Sequence, residues 1–548
     1  MKHTFNKILA GGALLMTATA CTGDYLDINS KQSEPGDLSA DGFALVSSMT
    51  NICSAVTPSD VNCTQFVDCL TGCTLGGYFS DGANFTTSIV RNNAPDNWTS
   101  VFLKDAKIIS TLYTNISLVE GYCEMSGDVV PLAVAQIIKV AAMNRVTDAY
   151  GPIPYSAIGF EGAVKTPYDS QEEVYNKFFE ELAAARQTLL ENQTAALSPL
   201  VDKVYGGNVS NWIRFANSLQ LRLALRISYA NPTLAKAKAE DALKASNGGI
   251  IETNDQNATW KNYQTSTNAM RTAIMYNAHD SRPSAEIACY MNGYKDPRIS
   301  SYLTESGSAG SSSLGGVPYK NEDGTWMTSP NGTSLQYVGI RRGWQTFSTT
   351  WSVNFSDINL PGNTPALWMN ASEVAFLRAE GAAVFGWEMG DNAENLYNKG
   401  IELSFENYGV ADQASAYIND DKSVPAQFYD PTNLNPWNGT IPGVTIKWDD
   451  TLTPEEKQQK IITQKWIANW TLGNEAWADY RRTGYPFLIP VAYNGSPDVN
   501  INRGPQRLPY PSAEYTDNLV NVQKAVQDYL KGPDNWATKL WWACKPGL

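Results

Sequence analysis

The chain has 548 residues and carries 41 Lys and Arg against 55 Asp and Glu, a formal net charge of −14. Hydrophobic residues make up 43%, aromatic residues 11% and charged residues 18%, which excludes disorder, collagen and coiled coil and permits a large buried core. The acid excess argues against DNA and RNA, whose sequence-independent affinity comes from clustered positive charge.

The first element is an address. Residues 1–20 run from Lys2 and Lys7 through an apolar stretch with Ile8, Leu9, Leu14, Leu15 and Met16 to the small residues Ala18-Thr19-Ala20. This is the layout of a signal peptide. An apolar stretch of about 13 residues is short of the roughly 20 that span a bilayer. A cysteine directly after the small residues resembles the bacterial lipobox, in which Cys21 would receive acyl chains and become the new N-terminus. Ala18 stands where that pattern usually has Leu, and the alternative is ordinary secretory cleavage with Cys21 as a disulfide partner. Residues 21–50 read as a polar, lipidated tether, and 51–548 as the body.

Seven cysteines follow Cys21: Cys53, Cys63, Cys69, Cys73, Cys123, Cys289 and Cys544. Export permits disulfides, and these are expected in preference to zinc, because the paired C-x2-C spacing of zinc ribbons is missing. An odd count leaves one thiol over, and the pairing is open.

Helical signals fill the body. Trp98, Phe102, Ala106, Ile109, Tyr113 and Ile116 recur every three or four residues, one stripe along a predicted helix. Pro131 suits the first turn of another, continued by Ala135, Ile138, Ala142 and Val146. Ser170 with Glu173 forms a capping box ahead of Val174, Phe178, Leu182 and Leu189. Ser210 precedes Trp212, Phe215, Leu219 and Leu223, and 233–246 is Ala-, Lys- and Leu-rich before Asn247-Gly248-Gly249. Asn370 with Glu373, Asp391 with Glu394, and Thr453-Pro454 with Glu456 mark three more starts. Leu519, Val522, Val526 and Tyr529 mark a last helix. Helices in adjacent pairs suggest hairpin stacking of the tetratricopeptide kind, although the full repeat signature is absent. Two stretches break the rhythm, about 250–368 and 409–450, and are expected to be functional loops.

Most catalytic signatures are missing. There is no G-x-G-x-x-G, no phosphate-binding P-loop, no G-x-S-x-G and no complete EF-hand loop. His3 leaves with the leader, so His279 is the one imidazole of the mature chain, too few for Ser-His-Asp or Cys-His chemistry unless that ring serves. Paired carboxylates of a glycosidase stay open, because 55 acids offer many pairs. No catalytic residue, metal site or cofactor is assigned; bound calcium is possible but cannot be read from the sequence.

Aromatic residues crowd the irregular middle: Tyr290, Tyr294, Tyr302, Tyr319, Trp326, Tyr337, Trp344, Phe347, Trp351 and Phe355, interleaved with Asn, Ser, Thr, Arg341 and Arg342. Sugar rings have an apolar C–H face and a rim of hydroxyls, so flat rings with planar amide or guanidinium donors suit them. Peptides could use the same surface, with Arg holding carboxylates. The competing reading is that most of these rings close the core.

Several strings resemble one family. Cys21-Thr22-Gly23-Asp24-Tyr25-Leu26-Asp27 is similar to the start of SusD/RagB-like outer-membrane lipoproteins. So are Arg145-Val146-Thr147-Asp148-Ala149-Tyr150-Gly151-Pro152-Ile153-Pro154-Tyr155 and Trp212-Ile213-Arg214-Phe215-Ala216-Asn217-Ser218-Leu219-Gln220-Leu221-Arg222. Asp296-Pro297-Arg298, Ser372-Glu373-Val374-Ala375-Phe376-Leu377-Arg378-Ala379-Glu380 and Glu475-Ala476-Trp477-Ala478-Asp479-Tyr480-Arg481-Arg482 complete the set, in the family's order. The resemblance implies a single mostly α body with tetratricopeptide-like hairpins and a loop-rich ligand face. It further implies a non-enzymatic, lipid-anchored cell-surface protein that sits on a SusC-like TonB-dependent barrel and hands it oligosaccharides, or peptides in some members. The matching strings are expected to hold the fold, the last as a ring packed beside a guanidinium–carboxylate pair. The ligand residues are chemical choices: Trp326, Trp344 and Trp351 for stacking, Tyr78 and Asn84 from an early Gly-rich loop, and Arg342 as donor. A surface hydrolase or an adhesin are the other readings.

Overall fold

Leu45, Met49, Ile52 and Val56 recur at helical spacing and are buried, so helix α1 (Phe43–Val56), the first described element, begins within the span read as tether. The computed structural model describes residues 42–81, 85–103, 106–158, 165–261, 267–308, 316–344 and 352–548. Helices α2 (Ile108–Ser126) and α3 (Val130–Tyr150) form a hairpin closed at Gly127, whose φ of 74° is the left-handed conformation that ends a helix without Cβ strain. Pro131 stands in the first turn of α3, where a missing N–H costs nothing. That helix is buried on every side, because α1, α2 and the next helix, α4 (Gln171–Glu191), all pack on it.

The capping signals hold in kind, with small shifts in place. Ser170 and Glu173 cap α4 reciprocally, and Thr453 with Glu456 do the same for helix Pro454–Ala468. Helix α5 (Val209–Arg226) is capped by Asn208, two residues before the expected Ser210, and helix α6 (Pro232–Ala242) stops before the 245–249 turn. After α7 (Ala285–Gly293) come α8 (Ala371–Phe385), capped by Asn370, and α9 (Ala393–Asn407), capped by Asn392 in place of Asp391. The Pro454–Ala468 helix is α10; α11 (Gly473–Thr483) and α12 (Leu519–Asp528) follow. Neighbours α2/α3, α3/α4, α4/α5, α5/α6 and α8/α9 pack as hairpins, the tetratricopeptide-like frame.

Two short antiparallel pairs tie distant segments to it: β1 (Phe79–Asp81) with β3 (Ser281–Pro283), and β2 (Ala258–Trp260) with β4 (Ala366–Met369).

Two expectations fail. The stripe from Trp98 to Ile116 is not one helix: a single turn at Asp96–Thr99 is separated from α2 by Lys107 at φ 49°. Trp98 packs on Phe66 and Phe85, and Phe102 on Tyr150, so tertiary neighbours explain spacings that mimic helical periodicity. No disulfide joins the seven cysteines after Cys21. Cys69 and Cys73 lie on a π-helix (Gln65–Cys73) packed against α11, and burial pushes both thiols up. The thiols serve as small buried side chains.

The centre of the body is ionic. Arg222 of α5 grips Glu373 of α8 with two bonds of 2.8 and 2.6 Å, and Arg226 reaches Glu475 of α11 at 2.6 Å and Asp148 of α3 at 3.5 Å. Lys465 of α10 donates to Asp479 at 2.7 Å and lies 3.4 Å from Glu475. Arg482 holds Glu380 at 2.7 and 2.8 Å and Asp479 at 3.1 Å. Arg481 lies 3.5 Å over the Trp477 ring and donates to the carbonyls of Asp148 and Gln506. Burial pushes Asp479 upward, and Lys465, Arg482 and Arg226 more than offset it, leaving the carboxyl well below its ordinary value. Arg481, buried over an indole, is lowered to about 9. Every acid and base here except Arg226 and Lys465 belongs to one of the motif strings, so those strings build the charged centre.

Candidate ligand-binding face

Buried tyrosines account for much of the aromatic wealth. Tyr78 stacks on Trp466 at 5.3 Å and its hydroxyl donates to the Trp466 carbonyl at 2.6 Å. Tyr302 stacks on Trp470 at 4.9 Å and donates to the Ile467 carbonyl, and Tyr290 and Tyr294 donate to the carbonyls of Phe487 and Val444. Each ring fills the core and each hydroxyl satisfies a loop or helix-end carbonyl.

The structure separates the six ligand residues chosen from sequence. Tyr78 is fully buried, because it leads from Gly76-Gly77 into β1 and not into an open loop. Arg342 is buried too: its Nε donates to Glu286 at 2.7 Å and its other nitrogens to the carbonyls of Thr74 and Ile489, so every nitrogen is engaged inside the body, away from solvent. Trp344 sits in a small core with Leu335, Val338, Ile340 and Phe355 beneath the loops. These three support the face and have no surface to offer. Asn84 and Trp351 lie outside the described residues, as does Phe347. Trp326 alone of the six is partly exposed in a described segment.

An excursion of 317–335 presents Trp326. Lys320 bridges to it, a turn closes where Asn321 N–H donates to the Thr325 carbonyl, and a second turn closes between Ser329 and Thr333. Met327 N–H donates to the Tyr319 carbonyl and Leu335 N–H to the Met327 carbonyl. The Lys320 ammonium stands 4.2 Å from the centre of the Trp326 ring, so a cation lies over this partly exposed ring. Ser306 fastens the base of the excursion through the Leu335 carbonyl, and Asn292 of α7 holds the Tyr337 carbonyl.

Beside it, residues 426–429 form the second wall of a shallow groove of about 350 Å³ that Ser329, Thr333, Tyr337 and Tyr429 also line. Tyr429 is 38% exposed and Tyr337 partly so. Asp430 fixes this wall by accepting from the Thr432 N–H and hydroxyl and from the Asn435 N–H. The Arg341 guanidinium ties the two loop systems together through the carbonyls of Pro436, Pro490 and Val491. Tyr429 was not singled out from the sequence; the Asp430-Pro431-Thr432 turn after it was the available signal.

His279, the one imidazole of the body, is buried with Nδ1 2.8 Å from Asp357. Among the described residues no group of three His, Cys, Asp or Glu is placed to hold a metal ion. Partly exposed rings, hydroxyls and a nearby cation suit a hydroxylated ligand held by stacking.

A family model described as SusD-like, Susd and RagB outer membrane lipoprotein, matches residues 27–543. A SusD homolog from Bacteroides uniformis is 48% identical over 92% of this chain and 100% of its own, with a TM-score of 0.84. A homolog from Bacteroides thetaiotaomicron is 34% identical over 92% and 99%, with a TM-score of 0.80. A chitin-binding SusD homolog from Flavobacterium johnsoniae is 33% identical over 91% and 99%, with a TM-score of 0.79. No curated protein sequence matches the chain. Among the described residues no helix is long and apolar enough to cross a membrane. With a family match over nearly the whole length and the same helical fold, the chain belongs to the SusD-like family of outer-membrane lipoproteins.

Proposed function

We propose that this protein captures oligosaccharides at the cell surface and passes them to a SusC-like TonB-dependent transporter, without making or breaking a bond. The reading is carried by Trp326, a partly exposed ring on the 317–335 excursion, together with the groove lined by the partly exposed Tyr337 and Tyr429 beside Ser329 and Thr333. The chitin-binding relative adds support for a glycan ligand. Acyl chains on Cys21 would hold the protein to the outer membrane, and the residues between Cys21 and α1 would give it reach. The ligand lies on a shallow surface, so affinity comes from stacking and from hydroxyl hydrogen bonds, and release needs no large rearrangement.

Calorimetric titration of the mature protein against a panel of oligosaccharides and oligopeptides, with product analysis of each mixture, tests this. Binding of a glycan without cleavage, weakened about tenfold in Trp326→Ala, is the expected result. Binding confined to peptides moves the ligand class, and glycan cleavage makes the protein a surface hydrolase. Copurification of a barrel protein from outer membranes tests the transporter partnership.

A further inference from the structure

The helical body contains a second cavity, apart from the loop face, enclosing about 870 Å³ including its open mouth. It lies where the end of α1, the π-helix, α3 and α5 meet the segments around 268–270, 360–368 and 471–475. One wall is apolar and made by Phe215, Met270, Leu360 and Trp368. The Trp368 indole is fixed by its N–H, which donates to the Thr57 hydroxyl at 3.0 Å.

The polar side is almost fully committed. The Arg145 guanidinium and the Asn474 amide both bond Oδ1 of Asp68. Asn144 donates to Asp148 and Tyr175, Asn268 caps the 269–274 turn and donates to the Thr364 carbonyl, and Arg222, Asp148 and Glu475 belong to the ionic centre. One atom is left over: Oδ2 of Asp68, buried and without a hydrogen-bond partner. Buried carboxylate oxygens are rarely left unpaired, so this one marks a place for a donor. Of the three carboxylates that line the space, Asp148 and Glu475 are balanced by Arg222, Arg226 and Lys465, whereas Asp68 meets Arg145 through one oxygen and leaves the other open. An incoming carboxylate or phosphate would face the open Asp68 oxygen as a like charge, whereas a cation would meet an acceptor and two aromatic rings.

We propose that this cavity is a binding site for a small organic ammonium ion, its charged head on Asp68 and its carbon body against Phe215, Met270, Leu360 and Trp368. The site stands apart from the glycan groove and shares none of its lining residues.

Calorimetry with three probes of one shape tests it: cyclohexylammonium, cyclohexanol and cyclohexanecarboxylate. Cyclohexylammonium should bind at least tenfold tighter than cyclohexanol, and the carboxylate should not bind. Asp68→Asn should weaken the ammonium at least tenfold while sparing cyclohexanol. Because that change also loosens Arg145, Met270→Trp serves as the second variant: it fills the cavity from the apolar side, and should abolish binding of both probes while circular dichroism and titration of the loop-face glycan stay unchanged. No binding of cyclohexylammonium to the wild type, equal binding of the carboxylate, or ammonium binding that survives in Met270→Trp would overturn the assignment.

Discussion

Arg482 shows how a single side chain carries the fold. Its guanidinium spans Glu380 and Asp479 deep in the core, so truncating it leaves Glu380 buried without a cation and Asp479 with Lys465 alone beside it. Breaking one partner of such a pair costs about 3–5 kcal/mol, whereas an apolar replacement of both partners is far less harmful. Arg482→Met should therefore lower the urea midpoint sharply, and Glu380→Met/Arg482→Met should recover part of the loss. The same centre sets the acid limit. Burial raises Asp479 and Glu475, but Lys465, Arg226 and their neighbours pull both below their ordinary values. A carboxyl lowered by folding contributes stability that is complete above its unfolded pKa of about 4 and is lost as pH falls below it. The stability gap between wild type and Asp479→Asn should be widest near neutral pH and shrink steadily below about pH 4, read by urea unfolding at each pH. The string from Glu475 to Arg482 made the ring-and-guanidinium pair legible in advance. Its partners were not, because Arg226 and Lys465 lie on other helices and only tertiary packing brings them in.

Helix starts were readable because capping is local chemistry, confined to four consecutive residues, and the errors are of one or two positions. At α5 the sequence offered Ser210, but the Asn208 side chain accepts from the Asn211 N–H at 3.1 Å. Asn208→Ala should cost about 1 kcal/mol in chemical denaturation and Ser210→Ala close to nothing. Close approaches between elements were invisible. The π-helix lies so near the start of α11 that a Cβ on Gly473 would come 2.1 Å from the backbone N of Cys73. Backbone cannot yield as a flexible side chain does, so Gly473→Ala should destabilise by about 2 kcal/mol, measured by thermal unfolding against Gly121→Ala of α2, where an added methyl meets open space, as the control. Neither periodicity nor composition announces such a contact, since a glycine at a helix start looks the same whether it faces solvent or another backbone.

Across the whole molecule, the helical frame and the loop face divide the tryptophans into two populations that composition alone could not sort. Trp326 and Trp344 lie eighteen positions apart in the same irregular stretch, with similar neighbours in sequence. The difference is what lies beneath them: Trp344 packs against Ile340, Leu335 and Phe355, whereas Trp326 rides on an excursion beside the Lys320 ammonium. Burial and ligand contact therefore predict opposite consequences for one chemical change. Trp344→Ala opens a cavity in the small core under the loops and should cost about 3–5 kcal/mol of stability. Trp326→Ala removes a partly exposed ring, should leave the melting curve within about 0.5 kcal/mol of wild type, and should weaken glycan binding about tenfold. Measuring both quantities on both variants separates support from recognition. If Trp326→Ala binds the preferred glycan as tightly as wild type, the Trp326 excursion is not where the ligand stacks, and the recognition surface lies elsewhere on the loop face.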